Sequence, residues 1–559
     1  MRRVIRLFFT LRHLRLNQFF FFIIRRGFPS SRVSCSQAAG INGAMTLNRP
    51  LPVTGMLQAT GGFRFLNISK VLQVESFDWC PEDVPRLWRY NLHYFDYLRD
   101  ESDNGDDKQC LLENWIASNP QGSQPGWEPF TASLRIVNWI FYLQRYPVYQ
   151  TPSILQSLCL QVLWLEKNDE RHILANHYFE NLKALTFAGA FFEGENAIRW
   201  LKKGTNGLRQ QIKEQTLPDG GHYERTPQYH ALMLENYLDI FNLVGFNRLL
   251  FDQDFLAILK DHSIRGLRFY QSIIFPDGSL PLFNDTASGI SPGLLGLDDY
   301  WQRLSGEPTC LRDKLEPVVS LPDSGLFSYR SNMDMFIVDA GDIGPAYQPG
   351  HTHCDMLSYE LMLEGQRVII DSGVCEYEPG AMRQYVRSTR AHNTVSVDGA
   401  DQSEVWGEFR VARRAKVLEG SICQQGDEVL FRGAYRGFHV LSGRIKHRRE
   451  VRLSLSTVSD IDALNITDQI EGGGRSIRQI ESFIHVHPDA KITEVAPHTL
   501  QLGFGTGLTC EISFPTDVNY TLEQSYYCPE FGVAIQNTCV VLYKKAALPA
   551  VLSYTVKKL

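Results

Sequence analysis

The sequence predicts a multidomain α and β fold, an array of helices over roughly residues 85–320 followed by an antiparallel β-sandwich. Two observations carry this. The apolar period changes from three-and-four to two near residue 320, and the short strands beyond it follow one another with no helix between them. Length and composition agree: 559 residues, 43% hydrophobic and 12% aromatic, suffice for two large cores. They exclude a disordered chain, a collagen, a coiled coil and a polytopic membrane protein.

In the helical half, LWRYNLHYFDYL (87–98), SLRIVNWIFYLQRY (133–146), SILQSLCLQVLWLEKN (153–168), ANHYFENLKALTFAGAFF (175–192), YHALMLENYLDIFNLVGF (229–246) and FLAILKDHSIRGLRFYQSII (255–274) each repeat apolar residues at three and four. Breaks rich in Pro, Gly and Asp separate them, as in LPDGG (217–221). Helices paired in this way stack into a curved or closed toroid with a groove along one face. After residue 322, segments such as MDMFIVDA, LSYELMLEGQRVIIDSG, EVLFRGAY, HRREVRLSLS and VAIQNTCVVLYKK alternate, with Gly, Asp and Asn turns between them. That pattern is a sandwich of antiparallel sheets.

The net charge of −6 is unevenly placed: residues 1–74 hold eleven bases and no acid, and the remainder holds 45 bases against 62 acids. Residues 1–26 read MRRVIRLFFTLRHLRLNQFFFFIIRR, with Arg6, Arg12 and Arg15 interrupting the apolar positions. The longest apolar run, Phe19 to Ile24, is too short to cross a bilayer, and no clean export signal is present. Two readings stand: a peripheral membrane contact through an amphipathic basic helix, or a helix packed on the protein's own body with its arginines solvated. Eleven cysteines without a C-x-x-C pair read as buried thiols. No nucleic-acid partner is expected.

Four polar clusters stand out. In Asn176-His177-Tyr178-Phe179-Glu180, His177 and Glu180 lie three apart on one helix face, as a surface pair or as a functional one. In GGHYERTPQYH (220–230), the residues His222, Glu224, Arg225, Tyr229 and His230 crowd a helix entrance, where capping explains Glu224 and Thr226 but not two histidines and two tyrosines. In PGHTHCD (349–355), His351, His353 and Asp355 alternate, so an extended strand would present all three on one face, suited to metal binding or acid–base work. In RQYVRSTRAHN (383–393), Arg383, Arg387 and Arg390 precede His392. With Arg410, Arg413, Arg414, Arg448 and Arg449 downstream, they read as solvated faces or as a groove for a polyanion.

These motifs in this order, NHYFEN, GGHYERTPQYH, GHTHCDMLSYELMLEGQRVIIDSG and STRAHNTVSVDG, resemble the heparinase II/III family of polysaccharide lyases over about residues 85 to 550. The resemblance implies a basic segment 1–45, an incomplete (α/α) toroid over 46–320 and an antiparallel β-sandwich over 321–559. It implies Asn176 and His177 as the helical substrate-binding pair, with Glu180 beside them, Tyr229 as the catalytic tyrosine and His351 as the catalytic histidine. His222, Arg225, Arg387 and Arg390 are expected to contact polymer. A structural zinc ion is expected on His353, Asp371 and His392, with a thiolate from Cys354 or Cys375 as an open alternative for a further ligand.

The implied reaction is β-elimination on an anionic polysaccharide containing uronic acid. Removing the proton on carbon 5 builds charge beside a carboxylate, so a donor must hold that carboxylate; Asn176, helped by His177 or an arginine, is the candidate. Tyr229 and His351 are the candidates for base and acid. A periplasmic or cell-envelope setting follows from the substrate class. Two rivals stay open: a glycoside hydrolase built on a carboxyl pair drawn from Glu180, Glu224, Asp219 and Asp285, and a binding or assembly protein that kept the fold.

Overall fold

The computed structural model describes the chain apart from residues 1, 28–31, 36–39, 59–61, 73–76, 101–104, 473 and 475. Its helices are Arg2–Leu11 (α1), Leu16–Gly27 (α2), Arg86–Tyr94 (α3), Gly105–Ser118 (α4), Pro129–Arg145 (α5), Pro152–Asn168 (α6), Ala175–Phe191 (α7), Glu195–Gln215 (α8), Pro227–Phe246 (α9), Gln253–Ile273 (α10) and Leu294–Ser305 (α11), with a short Ala381–Val386 (α12) inside the second half. Local chemistry sets their starts. Proline opens α5, α6 and α9, where its missing N–H is no loss, and the side chains of Thr151 and Asp252 cap α6 and α10.

Burial divides these helices into layers. α7 and α9 are buried nearly all round and form the inner ring, while α8 and α10 expose a polar face. α7 packs on α5 and α8, and α9 packs on α10 and α11. Gly189 and Gly204 permit the α7–α8 approach, because a Cβ at either would collide with Leu201 or Thr186 across the pair. The result is an incomplete (α/α) toroid. The segment 87–98, expected as one helix, breaks at Phe95, which adopts φ 64° and hands over to a 3₁₀ turn at Asp96–Arg99.

From Val318 onward the chain forms two large antiparallel sheets. One runs in the order Lys416–Gln425, Glu428–Arg436, Lys446–Leu455, Ile461–Glu471, Ala550–Lys558, Thr509–Ser513, Thr499–Gly503 and Lys491–Ala496. The other runs from the edge strand Asn519–Tyr527 through Ile535–Ala547 and Ile477–Val486 to Gln366–Ile369, Tyr359–Leu363, Met335–Asp339, Leu326–Arg330 and Val318–Leu321. Alternate residues meet in the shared core, among them Phe431, Val451 and Leu464 from the first sheet and Phe336, Leu361 and Ile484 from the second. One inward polar group is deliberate. Arg449 donates to both carboxylate oxygens of Asp468 at 2.7 and 2.8 Å, and to the carbonyls of Leu357 and Asn393 that flank the site described below.

The domains are joined by polar rivets. Asp219 accepts from the Ser324 N–H at 2.6 Å, and Arg225 donates to the Asp342 and Asp323 carbonyls at 2.8 and 2.9 Å. Segment 282–285 of the helical half is stitched to 351–360 of the sandwich: Asn284 N–H donates to Asp355, His353 N–H to Asn284, and Asp285 N–H to the His351 carbonyl.

Candidate active site

The inner helix starts and the sandwich segment 349–355 converge where the domains meet. The entry to α7 runs through Leu174 and Ala175, both at positive φ (67° and 52°), a strained turn of the kind stored at functional sites. It places Asn176 and His177 half-buried on the first turn. The His177 ring packs tilted against Phe130 with centroids 4.5 Å apart, and its Nδ1 lies 3.1 Å from Glu170. Burial opposes charge on that ring, but Glu170 overrides it and raises the His177 pKa. The expected His177–Glu180 pair does not form. Glu180 points into the toroid and accepts from Asn236, because the two side chains diverge from the start of α7.

The entry to α9 turns at Arg225, φ 55°, and Tyr229 follows in the first helical turn. The Tyr229 ring stacks on His351 with centroids 3.8 Å apart, and its hydroxyl is 3.4 Å from that of Tyr377. Burial pushes the Tyr229 phenol above its ordinary value, and the Asp285 and Glu224 carboxylates add to that. It is therefore a neutral donor near neutral pH.

His351 and His353 meet at Asp285, which is fully buried. Asp285 accepts from His351 Nδ1 at 3.0 Å, from His353 Nε2 at 2.8 Å, and from both terminal nitrogens of Arg383. Burial opposes its ionisation, but Arg383 and the two imidazoles hold the carboxyl well below the usual carboxylate range. An ionised carboxylate only accepts, so His351 carries a proton on Nδ1 and turns Nε2 away from Asp285. That nitrogen faces Glu224 at 3.5 Å. Both Glu224 oxygens are buried without a hydrogen-bond partner of good geometry, and burial raises its carboxyl pKa.

Segment 349–355 is a run of turns rather than a strand, so the alternation does not put three side chains on one face. His351 and His353 share Asp285, whereas Asp355 turns to the Asn284 N–H. The expected metal residues lie next to each other: His392 Nδ1 is 2.8 Å from Asp371, and the His353 and His392 rings are 5.3 Å apart. His353 Nδ1 and His392 Nε2 are buried atoms without partners, which fits a soft-nitrogen cation site in donor chemistry. Asp371 as placed accepts from His392, Ser358 and Gly373, and among the described residues no three His, Cys, Asp or Glu side chains converge on one point. The Cys354 thiol donates to the Ser403 carbonyl and burial pushes its pKa well up, so it is no thiolate.

Several expected polymer contacts are occupied elsewhere. Arg387 is fully buried and donates to the Thr352, Gly407 and Arg410 carbonyls. Arg390 pairs with Glu523 on the edge strand Asn519–Tyr527. His222 is buried against Gln215, its pKa pushed far down by burial, and Arg225 serves the domain joint. The downstream bases are likewise paired, Arg413 with Glu404, Arg448 with Glu419 and Glu471, Arg449 with Asp468. Of the clustered arginines, Arg387 and Arg449 are thus engaged inside the fold, whereas Arg390 and Arg410 stay at the surface. Thr226 makes no side-chain cap for α9. The residues the sequence reading did not single out as a unit are Asp285, Arg383, Tyr377 and Glu170. Asp285 sits in a Phe-Asn-Asp-Thr turn whose local pattern signals only a loop.

Comparison with known proteins fits this geometry. The profile described as Heparinase II/III N-terminus matches residues 93–293, and that described as Heparinase II/III-like, C-terminal matches residues 313–554. A curated relative named heparin-sulfate lyase from Bacteroides stercoris is 26% identical over 326 residues, 52% of this chain and 47% of that protein. One of the same name from Pedobacter heparinus is 24% identical over 315 residues, 51% and 47% of the two chains. The aligned region thus spans about half the length of these relatives. A crystal structure of heparinase III superposes with a TM-score of 0.67 at 17% identity, covering 87% of this chain and 80% of that one. The heparan sulfate lyase HepC of Pedobacter heparinus gives 0.57 at 16%, covering 89% and 81%.

Proposed function

Because the chain belongs to the heparinase II/III family, we propose that it is a polysaccharide lyase that cleaves a uronic-acid-containing anionic polysaccharide by β-elimination. The observation that carries this reading is the stack of Tyr229 on His351, with His351 fixed through Nδ1 by the buried Asp285. Asn176, with the imidazolium favoured at His177, holds the uronate carboxylate and stabilises the enolate that develops on it. His351 Nε2 takes the carbon 5 proton. The Tyr229 hydroxyl, neutral by burial, gives its proton to the departing glycosidic oxygen. Tyr377 orients that hydroxyl. The substrate class goes with work in the periplasm or cell envelope.

The reading extends to zinc held by His353, Asp371 and His392. The ion would fix the segment that presents His351, and no proton-transfer step runs through it. A hydrolase needs two carboxyl groups facing each other across the bond. Asp285 is saturated by four N–H contacts inside the fold, which leaves Glu224 without a partner acid and disfavours that rival.

A screen of uronate polymers for new ultraviolet absorbance tests the proposal. A lyase creates a conjugated unsaturated end on at least one of them. Saturated reducing ends from a cleaved polymer, with no absorbance, would instead establish hydrolysis.

A further inference from the structure

α1 and α2 lie on the enzyme with their polar side down. Arg6 pairs with Glu404 at 3.0 Å, and Thr10 accepts from the Trp406 indole at 3.1 Å, both on the sandwich half. Arg15 lies 3.8 Å over the Tyr347 ring and pairs with Glu214 of α8, while Gln18 donates to the Ile173 carbonyl at 3.2 Å. The two helices therefore grip both domains through these polar residues, with the Phe9 and Phe21 rings under Arg413 and Arg171. The segment thus lies on the protein's own body, but with Arg6 and Arg15 paired against it rather than solvated.

The other side is apolar and open to solvent. Val4, Leu7, Phe8 and Leu11 follow i, i+3, i+4, i+7 spacing on α1 and are 72%, 46%, 63% and 44% exposed. Leu16, Phe19, Phe20 and Ile23 repeat that spacing on α2 at 90%, 51%, 58% and 54%. A helix on a protein surface ordinarily turns its apolar stripe inward. Here both stripes are turned out, on a segment whose first 27 residues hold seven arginines and no acid. Exposed large apolar side chains in this number mark a contact face.

We infer that α1 and α2 form a docking face for an anionic lipid surface, with the two apolar stripes entering the headgroup boundary and Arg3, Arg12 and Arg26 at the phosphates. Charge selects this occupant. A second copy of the chain would bring the same arginines against themselves, whereas an anionic bilayer complements them. Depth agrees, because helices of 10 and 12 residues are too short to span a bilayer but fit one lying in its interface. Since the same two helices grip Glu214 and Glu404, docking fixes the orientation of both domains at the membrane.

Co-sedimentation of the full chain with vesicles tests this. Vesicles of phosphatidylcholine with phosphatidylglycerol should carry the protein down, about tenfold or more in excess of phosphatidylcholine alone. The Phe8→Ser/Phe19→Ser/Phe20→Ser variant should remain in the supernatant, and so should Arg3→Glu/Arg12→Glu/Arg26→Glu, both keeping the wild-type melting temperature because these side chains face solvent. Equal recovery on neutral and anionic vesicles would overturn the inference, as would wild-type protein that stays soluble with both. A lipid-free dimer that the phenylalanine variant converts to monomer would overturn it too, and assign the face to a second copy.

Discussion

The imidazole of His351 lies 3.8 Å from the ring of Tyr229, centroid to centroid, although one comes from the sandwich and the other from the toroid. Neither domain holds both of the groups proposed to transfer protons. On the proposed mechanism the joint between the domains is part of the site, and the polar rivets at Asp219, Arg225 and Asn284 hold its two halves together.

Asp285→Asn should lower kcat by about 10²–10⁴-fold, the range of a positioned acid–base group. The asparagine keeps the shape but loses the charge that fixes Nδ1–H on His351. Arg383 loses its partner at the same time, so rates are to be measured on the folded fraction at low temperature. A wild-type kcat with folded protein would remove Asp285 from the account.

The His177–Glu170 pair gives a pH signature. The folded pKa of His177 is raised above its ordinary value near 6.5, so its stabilising pairing is complete below about 6.5 and is lost as pH rises through the higher folded value. KM for the uronate polymer should rise over that same alkaline window. Glu170→Gln should move the rise down towards the ordinary value, visible in a KM–pH profile. A profile that Glu170→Gln leaves in place would separate His177 charge from substrate binding.

In the sandwich core, Asp468→Ala leaves Arg449 fully buried without its counter-charge. Loss of one partner from such a pair costs about 3–5 kcal/mol, and Arg449 also holds the Leu357 and Asn393 carbonyls beside the site. Denaturant unfolding should show that loss, with activity falling at temperatures where wild type is intact. An unchanged midpoint would contradict the role given to Arg449.

For the metal, elemental analysis of the purified chain should find about one zinc per molecule, absent in His353→Ala. Metal-free protein of full stability would refute the site, whatever its activity.

Much of this was legible in the sequence. The period change separated the helical half from the sandwich half, and the motifs placed Asn176, His177, Tyr229, His351, His353 and His392 in one region. What stayed hidden was set by tertiary contact. α8 carries two glycines and many charged residues, and α4 shows little apolar period, so neither stands out as a helix in the sequence. Asp285 reads as a loop residue because its three partners, His351, His353 and Arg383, come from positions more than sixty residues away. The clustered arginines misled for the reverse reason: sequence shows their charge but not the carbonyls and carboxylates that occupy them.

The most direct test of the central claim is the rate of unsaturated product formation by Tyr229→Phe on a polymer that wild type cleaves, read with polymer binding by the same protein. The account predicts no measurable product, with binding and melting temperature nearly unchanged, because only one hydroxyl is removed. Product formation at the wild-type rate would contradict it.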